Sequence, residues 1–118
     1  MHALDVLGDP VRRRLLELLG DGEVPAGKLA AQIGAEFGIS QPAVSQHLRV
    51  LREAGFTTVR VAGSRRLYAV DTAPLREAED WLAGFSEYWA PRLAALDTEI
   101  KRGRRVRRHR TDEQEEER

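Results

Sequence analysis

A mainly α-helical bundle carrying one two-stranded β-hairpin, in the order ααααββα, is the fold class the sequence predicts, and three observations predict it. Two helical patterns, each with its own start and stop signals, are separated by only Gly38-Ile39-Ser40. Two alternating, β-branched stretches with a glycine at the tip between them follow directly after Gly55. A last apolar pattern then holds helical spacing from Ala78 to Ile100, more than six turns at about 3.6 residues each.

Length and composition bound what such a fold can be. The 118 residues suit one domain with one modest core, and 42% hydrophobic against 32% charged is the balance of a soluble globular protein. No apolar run approaches the roughly 20 residues of a membrane span, and the N-terminus lacks the layout of a secretory signal. There is no cysteine, which excludes disulfides and thiolate metal sites. These features predict a cytoplasmic protein. The formal net charge of zero hides a segregation. Residues 1–100 carry 11 Lys and Arg against 14 Asp and Glu, whereas residues 101–118 carry 8 against 5. Arg49, Arg52, Arg60, Arg65 and Arg66 crowd one stretch in which only Glu53 opposes them. Such local basic density counts for more in nucleic-acid binding than the global sum.

Taken in order, His2 to Leu7 allows one or two helical turns. Asp9-Pro10 is a helix start, with Asp as cap and Pro at the first helical position. Val11, Leu15, Leu18 and Leu19 give that helix its apolar stripe, and Gly20-Asp21-Gly22 stops it. Arg12, Arg13 and Arg14 lie elsewhere on it. The triplet reads either as a solvated face or with one or more members meeting phosphate; because it points in three directions around a helix, Arg13 and Arg14 read as solvated. Pro25-Ala26-Gly27 begins the next helix, whose apolar face is Leu29, Ala30, Ile33 and Phe37, and Gly38 closes it.

The stretch ISQPAVSQHLRVLREAG, residues 39–55, organises the rest. Ser40 can cap a helix starting at Gln41, and Pro42 falls in the first turn, where the N–H groups lack internal partners anyway. Val44, Leu48 and Leu51 form the buried stripe; Pro42, Gln46, Arg49 and Glu53 gather opposite it, with Ser45 and Arg52 at its edge. Alone, the pattern fits an ordinary amphipathic surface helix as well as a DNA recognition helix, in which Gln pairs with adenine and Arg with guanine. Context selects the second. Two helices joined by a short turn containing Gly make a helix-turn-helix. Thr57 to Val61 and Leu67 to Val70 then read as strands around an Ala62-Gly63-Ser64-Arg65 tip. A helix-turn-helix followed by a basic hairpin is a winged helix. Arg65 and Arg66 at such a tip suit phosphate or minor-groove contact.

Asp71 or Thr72 caps the final helix, and Pro91 predicts a kink near residues 87–90. Its stripe includes Trp81, Phe85, Trp89, Leu93 and Leu96. A core this small cannot cover it, so the stripe reads as a dimer seam rather than a fold-back surface. Beyond a folded domain of residues 1–100, residues 101–118 read as a charged, disordered tail, basic to Arg110 and acidic from Asp112 to Glu117. His2, His47 and His109 are too scattered for a metal site. His47 is expected to bond within the fold or to a phosphate.

Over roughly residues 3–100 the chain resembles the ArsR/SmtB family of bacterial winged-helix repressors. The resemblance rests on DPVRRRLLELL at 9–19, ISQPAVSQHLRVLREAGF at 39–56 and GSRRLYAV at 63–70. It implies a homodimer with the first helix, and so Leu4, and the last helix at the seam. It also implies autoregulated repression by promoter occlusion. Metal-sensing members carry a Cys-x-Cys pair in a segment similar to EVPAGKL at 23–29, where Pro25 and Gly27 stand here. Residues 72–100 contain no His to match the metal ligands of other members. Metal sensing is therefore not implied, and the chain is similar to the branch without metal sites, some of whose members are controlled by other proteins. The stretch from Ala31 to Ser40 is about four residues longer than the family spacing, which one added helical turn absorbs.

The sequence thus predicts a dimeric, sequence-specific repressor bound to double-stranded DNA, without cofactor, metal or catalytic activity. Ser40, Gln41, Pro42, Ser45, Gln46 and Arg49 serve the major groove, and Arg65 and Arg66 the flanking backbone. The rival is a protein-interaction winged-helix module with little or no DNA binding. No nucleophile–base pair or glycine-rich phosphate loop supports an enzyme.

Overall fold

The computed structural model describes residues 2–116, with side chains described from His2 to Arg104. Helices α1 (Ala3–Leu7) and α2 (Pro10–Leu18) precede a two-residue strand β1 (Val24–Pro25). Helices α3 (Ala26–Phe37) and α4 (Gln41–Glu53) follow, then β2 (Thr57–Ala62), β3 (Arg65–Val70) and α5 (Ala73–Glu116). The order is the predicted one with β1 added. That strand pairs antiparallel with β3, Val24 opposite Tyr68, so the expected two-stranded wing is a three-stranded sheet in the order β1-β3-β2.

Local chemistry sets the helix ends. The Asp9 carboxylate accepts from the N–H groups of Val11 (2.8 Å) and Arg12 (3.2 Å), satisfying two of the donors a helix start leaves open. Ser40 Oγ accepts from the Ala43 N–H. Helix α3 closes on Gly38, whose φ of 67° is left-handed. Helix α4 closes on Gly55 at φ 81°, with Phe56 N–H donating back to the Leu51 carbonyl at 2.9 Å. This double reversal needs a residue without a Cβ. Asp9→Ala is expected to cost about 0.5–2 kcal/mol of stability, read as a lower urea midpoint with an unchanged slope.

Arg13 of the Arg12-Arg13-Arg14 triplet is exposed, as expected, whereas Arg14 is half-buried like Arg12, and all three side chains are tied to the fold. Arg12 donates to the carbonyls of Val6 (2.8 Å) and Asp5 (3.2 Å), and Arg13 to that of Leu7 (2.7 Å). Two guanidinium groups thus satisfy the open carbonyl end of α1 and fasten it to α2. Arg14 ties α2 to α3 through Glu36 at 3.0 Å and also bonds Glu17.

The chain divides into two compact units, one up to Asp80 and one from Trp81. In the first, Val6, Leu15, Leu29, Ile33, Val44, Leu51 and Phe56 are almost fully buried, and Ala78 from α5 joins them. Leu4 is half-buried against this core, whereas Phe37, expected on the apolar face of α3, is exposed. In the second, Trp81, Phe85, Trp89, Leu93 and Leu96 are all exposed. Trp81 and Phe85 stack at 5.5 Å, and Phe85 and Trp89 lie 5.6 Å apart. Helix α5 is unbroken through Pro91. Pro91 has no N–H for the Glu87 carbonyl, and Arg92 donates to the adjacent Tyr88 carbonyl while lying over the Tyr88 ring. The backbone is helical to Glu116, past the predicted domain end at 100 and through most of the expected disordered tail. Lys101 pairs with Asp97 at 3.0 Å, the i,i+4 spacing that supports a helix. Among the runs beyond Arg104, the side chains lie outside the described residues.

Candidate nucleic-acid interface

Helix α4 is fixed from behind. Val44, Leu48 and Leu51 are buried, which forces the opposite residues outward at 3.6-residue spacing. Ser40, Gln41, Pro42, Ser45, Gln46, Arg49, Arg52 and Glu53 are accordingly exposed. The side chains of Gln41, Ser45 and Gln46 make no hydrogen bond among the described residues, so their donors and acceptors are available. The Ser40 oxygen is already taken up in the cap.

His47 sits at the back edge of α4, half-buried, with Nδ1 3.8 Å from the Asp9 carboxylate. It therefore faces the cap of α2 at a distance beyond a hydrogen bond, and the expected bond inside the fold is not made among the described residues. Partial burial pushes the Asp9 carboxyl upward. The N–H bonds from Arg12 and Val11, with the charges of His47 and Arg12, outweigh burial and hold it below the usual carboxylate range. A lowered native value places this stabilisation above the ordinary carboxylate pKa and removes it as pH falls through the native one.

The hairpin differs from the predicted one in a way that matters for its arginines. The strands are longer and the turn is only Gly63-Ser64, with Gly63 at φ 63° where a two-residue turn requires a positive value. Arg65 and Arg66 therefore belong to β3, opposite Ala62 and Val61, and not to a loop tip. Residue alternation sends them to opposite faces. Arg66 shares its face with Tyr68, and both line a cleft of about 290 Å³ together with Gln41, Ser45, Arg49 and Arg52 of α4. A second cleft of about 520 Å³ lies beside the turn, where both arginines border it despite their alternation, together with Ser64 and the start of α3, including Lys28. No acidic residue lines either cleft.

The basic cluster is smaller than the sequence suggested in one place and larger in another. Arg60 is paired with Glu23 at 2.7 Å, beside the start of β1, and is not part of it. That pair raises Arg60 and lowers Glu23 from their ordinary values. Lys28 joins the cluster, and Arg52, placed at the stripe edge by its spacing, opens onto the cleft. The Lys28 signal was weak because one lysine 37 residues before Arg65 has no local pattern to mark it. Among the described residues, Lys28, Arg52, Arg65 and Arg66 have no ion-pair partner; Arg49 alone in the cluster is paired, with Glu53 at 3.0 Å. Pro42 and Gln46 line neither cleft but share the exposed side of α4. No group of His, Asp or Glu among the described residues could hold a metal, and no described helix is long and apolar enough to cross a membrane.

Comparison with known proteins places this arrangement among DNA-binding regulators. Residues 7–60 match the family model of a helix-turn-helix domain. The transcriptional repressor SdpR of Bacillus subtilis is 33% identical over 71% of this chain and 89% of its own length. The HTH-type transcriptional regulator Rv2034 of Mycobacterium tuberculosis is 41% identical over 63% of this chain, which spans 65% of that protein. A crystal structure described as an ArsR family transcriptional regulator superposes with a TM-score of 0.64 at 27% identity, covering 75% of this chain and 87% of the other.

Proposed function

The chain belongs to the ArsR family of winged helix-turn-helix transcriptional repressors, and we propose from that premise that it is a cytoplasmic, homodimeric, sequence-specific repressor that occludes promoters, its own included. The observation that carries the reading is the acid-free groove shared by α4 and β3. Gln41, Ser45, Gln46 and Arg49 would present donors and acceptors to base edges in the major groove. Pro42 and the Ser40 hydroxyl lie at the end of α4 that enters first. Lys28, Arg52, Arg65 and Arg66 would meet phosphates, which position the helix without reading sequence. The homodimer is supported by Phe85, Trp89, Leu93 and Leu96 of α5, which are exposed among the described residues.

The same stripe also favours a second reading, a protein-interaction module without DNA binding. Fluorescence anisotropy over a salt series separates the two. A duplex selected by the wild type from a randomised pool should be bound more tightly than its shuffled version, with marked salt sensitivity. Failure to bind any duplex would favour the interaction module. Arg65→Ala combined with Arg66→Ala should lower affinity for both duplexes and flatten the salt slope by up to about two units. An unchanged slope would remove β3 from the interface.

A further inference from the structure

Glu53 is the one charge on the exposed side of α4 that DNA binding does not explain. It is the only acidic residue of that helix, and it would stand against phosphates. It is also the last helical residue, where the helix dipole disfavours an anion. Stability gives it little reason to be there: Arg49 and Glu53 are 67% and 59% exposed, and a solvent-screened i,i+4 pair of this kind contributes little. The geometry of the pair is more informative. Glu53 Oε1 accepts from Arg49 Nε at 3.0 Å. Nε is the inner nitrogen of the guanidinium, so the two terminal nitrogens keep their outward donors. Those two form the fork that meets O6 and N7 of a guanine.

Resting on the DNA-binding reading, we infer that Glu53 is a specificity-determining positioning residue that acts through Arg49. Its carboxylate holds the guanidinium with the terminal fork outward, which shortens the search for a guanine edge. It also cancels the Arg49 charge towards phosphates, so that Arg49 adds little to binding on the wrong sequence. Attraction to any duplex is left to Lys28, Arg52, Arg65 and Arg66, which have no such counter-charge. Sequence reading and phosphate attraction are thereby assigned to different side chains of one cluster.

The test is Glu53→Gln, which keeps the shape and an acceptor oxygen but removes the charge, measured alone and with Arg49→Ala. Anisotropy is recorded on the duplex selected by the wild type and on its shuffled version. Glu53→Gln should tighten the shuffled duplex, steepen its salt slope by up to about one unit, and reduce the preference for the selected duplex by roughly fivefold or more, about 1 kcal/mol by RT ln 5. In the Arg49→Ala background the same change should leave the preference unaltered, a coupling that a purely structural role would not produce. Equal tightening of both duplexes, or an undiminished loss of preference without Arg49, would overturn the inference while leaving the DNA-binding reading in place. A wild type with no preference between the duplexes would overturn both.

Discussion

Leu93→Glu is expected to leave a monomer or an aggregate and to abolish binding to the selected duplex, although Leu93 belongs to the second unit and lines neither groove. One recognition helix reads only a few base pairs, too few to select a promoter among the competing sites of a genome. A twofold dimer doubles the reading and sets two such helices about 34–36 Å apart, in successive major grooves on one side of the duplex. Phe85, Trp89, Leu93 and Leu96 are between 39% and 55% exposed, which leaves their apolar area available to a second copy. Burying a large apolar side chain is worth about 1.5–3 kcal/mol, and a twofold axis repeats each contact. A glutamate in that seam removes one such contribution per protomer and adds two carboxylates that have to be desolvated. Trp89→Ala should act in the same direction and more mildly. Sedimentation of each purified variant decides the outcome. A folded Leu93→Glu protein that stays dimeric and binds would take α5 out of the seam.

Arg49→Ala should weaken binding to the selected duplex by about 1–3 kcal/mol, the worth of one bidentate contact to a guanine. On the shuffled duplex the loss should be much smaller, since Glu53 already balances the Arg49 charge. Parallel anisotropy titrations read both values. An equal loss on the two duplexes would reassign Arg49 to a phosphate.

Several of these residues are legible in the sequence, and the reason is distance along the chain. Asp9, Ser40, Gly38 and Gly55 act within four residues of themselves, on N–H and carbonyl groups that any helix end leaves open. The stripe of Val44, Leu48 and Leu51 needs only the period of one helix. From these, the helix-turn-helix and the outward face of α4 follow together. What escaped the reading depends on partners far away in sequence. Arg14 reaches Glu36 and Arg60 reaches Glu23; nothing local distinguishes them from Arg52 or Arg66, which have no such partner. The basic cluster therefore drew in Arg60 and missed Lys28. Strand β1 has two residues, one a proline, and is defined solely by β3 more than 40 positions later. A segment that short carries no alternation to detect. The hairpin is legible, but its turn is two residues narrower than the predicted one, because Ala62 and Arg65 suit a strand end as well as a loop. Arg65 and Arg66 therefore belong to the sheet, where alternation points them in opposite directions.

The central claim, that two copies of α4 read one duplex, is tested most directly by hydroxyl-radical footprinting of the wild type on its selected duplex. Two protected patches on one face of the helix, centred about 10–10.5 base pairs or a multiple apart and related by a twofold axis, are the predicted result. Both should be lost with Leu93→Glu. A single patch that survives Leu93→Glu, or no protection at concentrations that saturate the anisotropy signal, would contradict it.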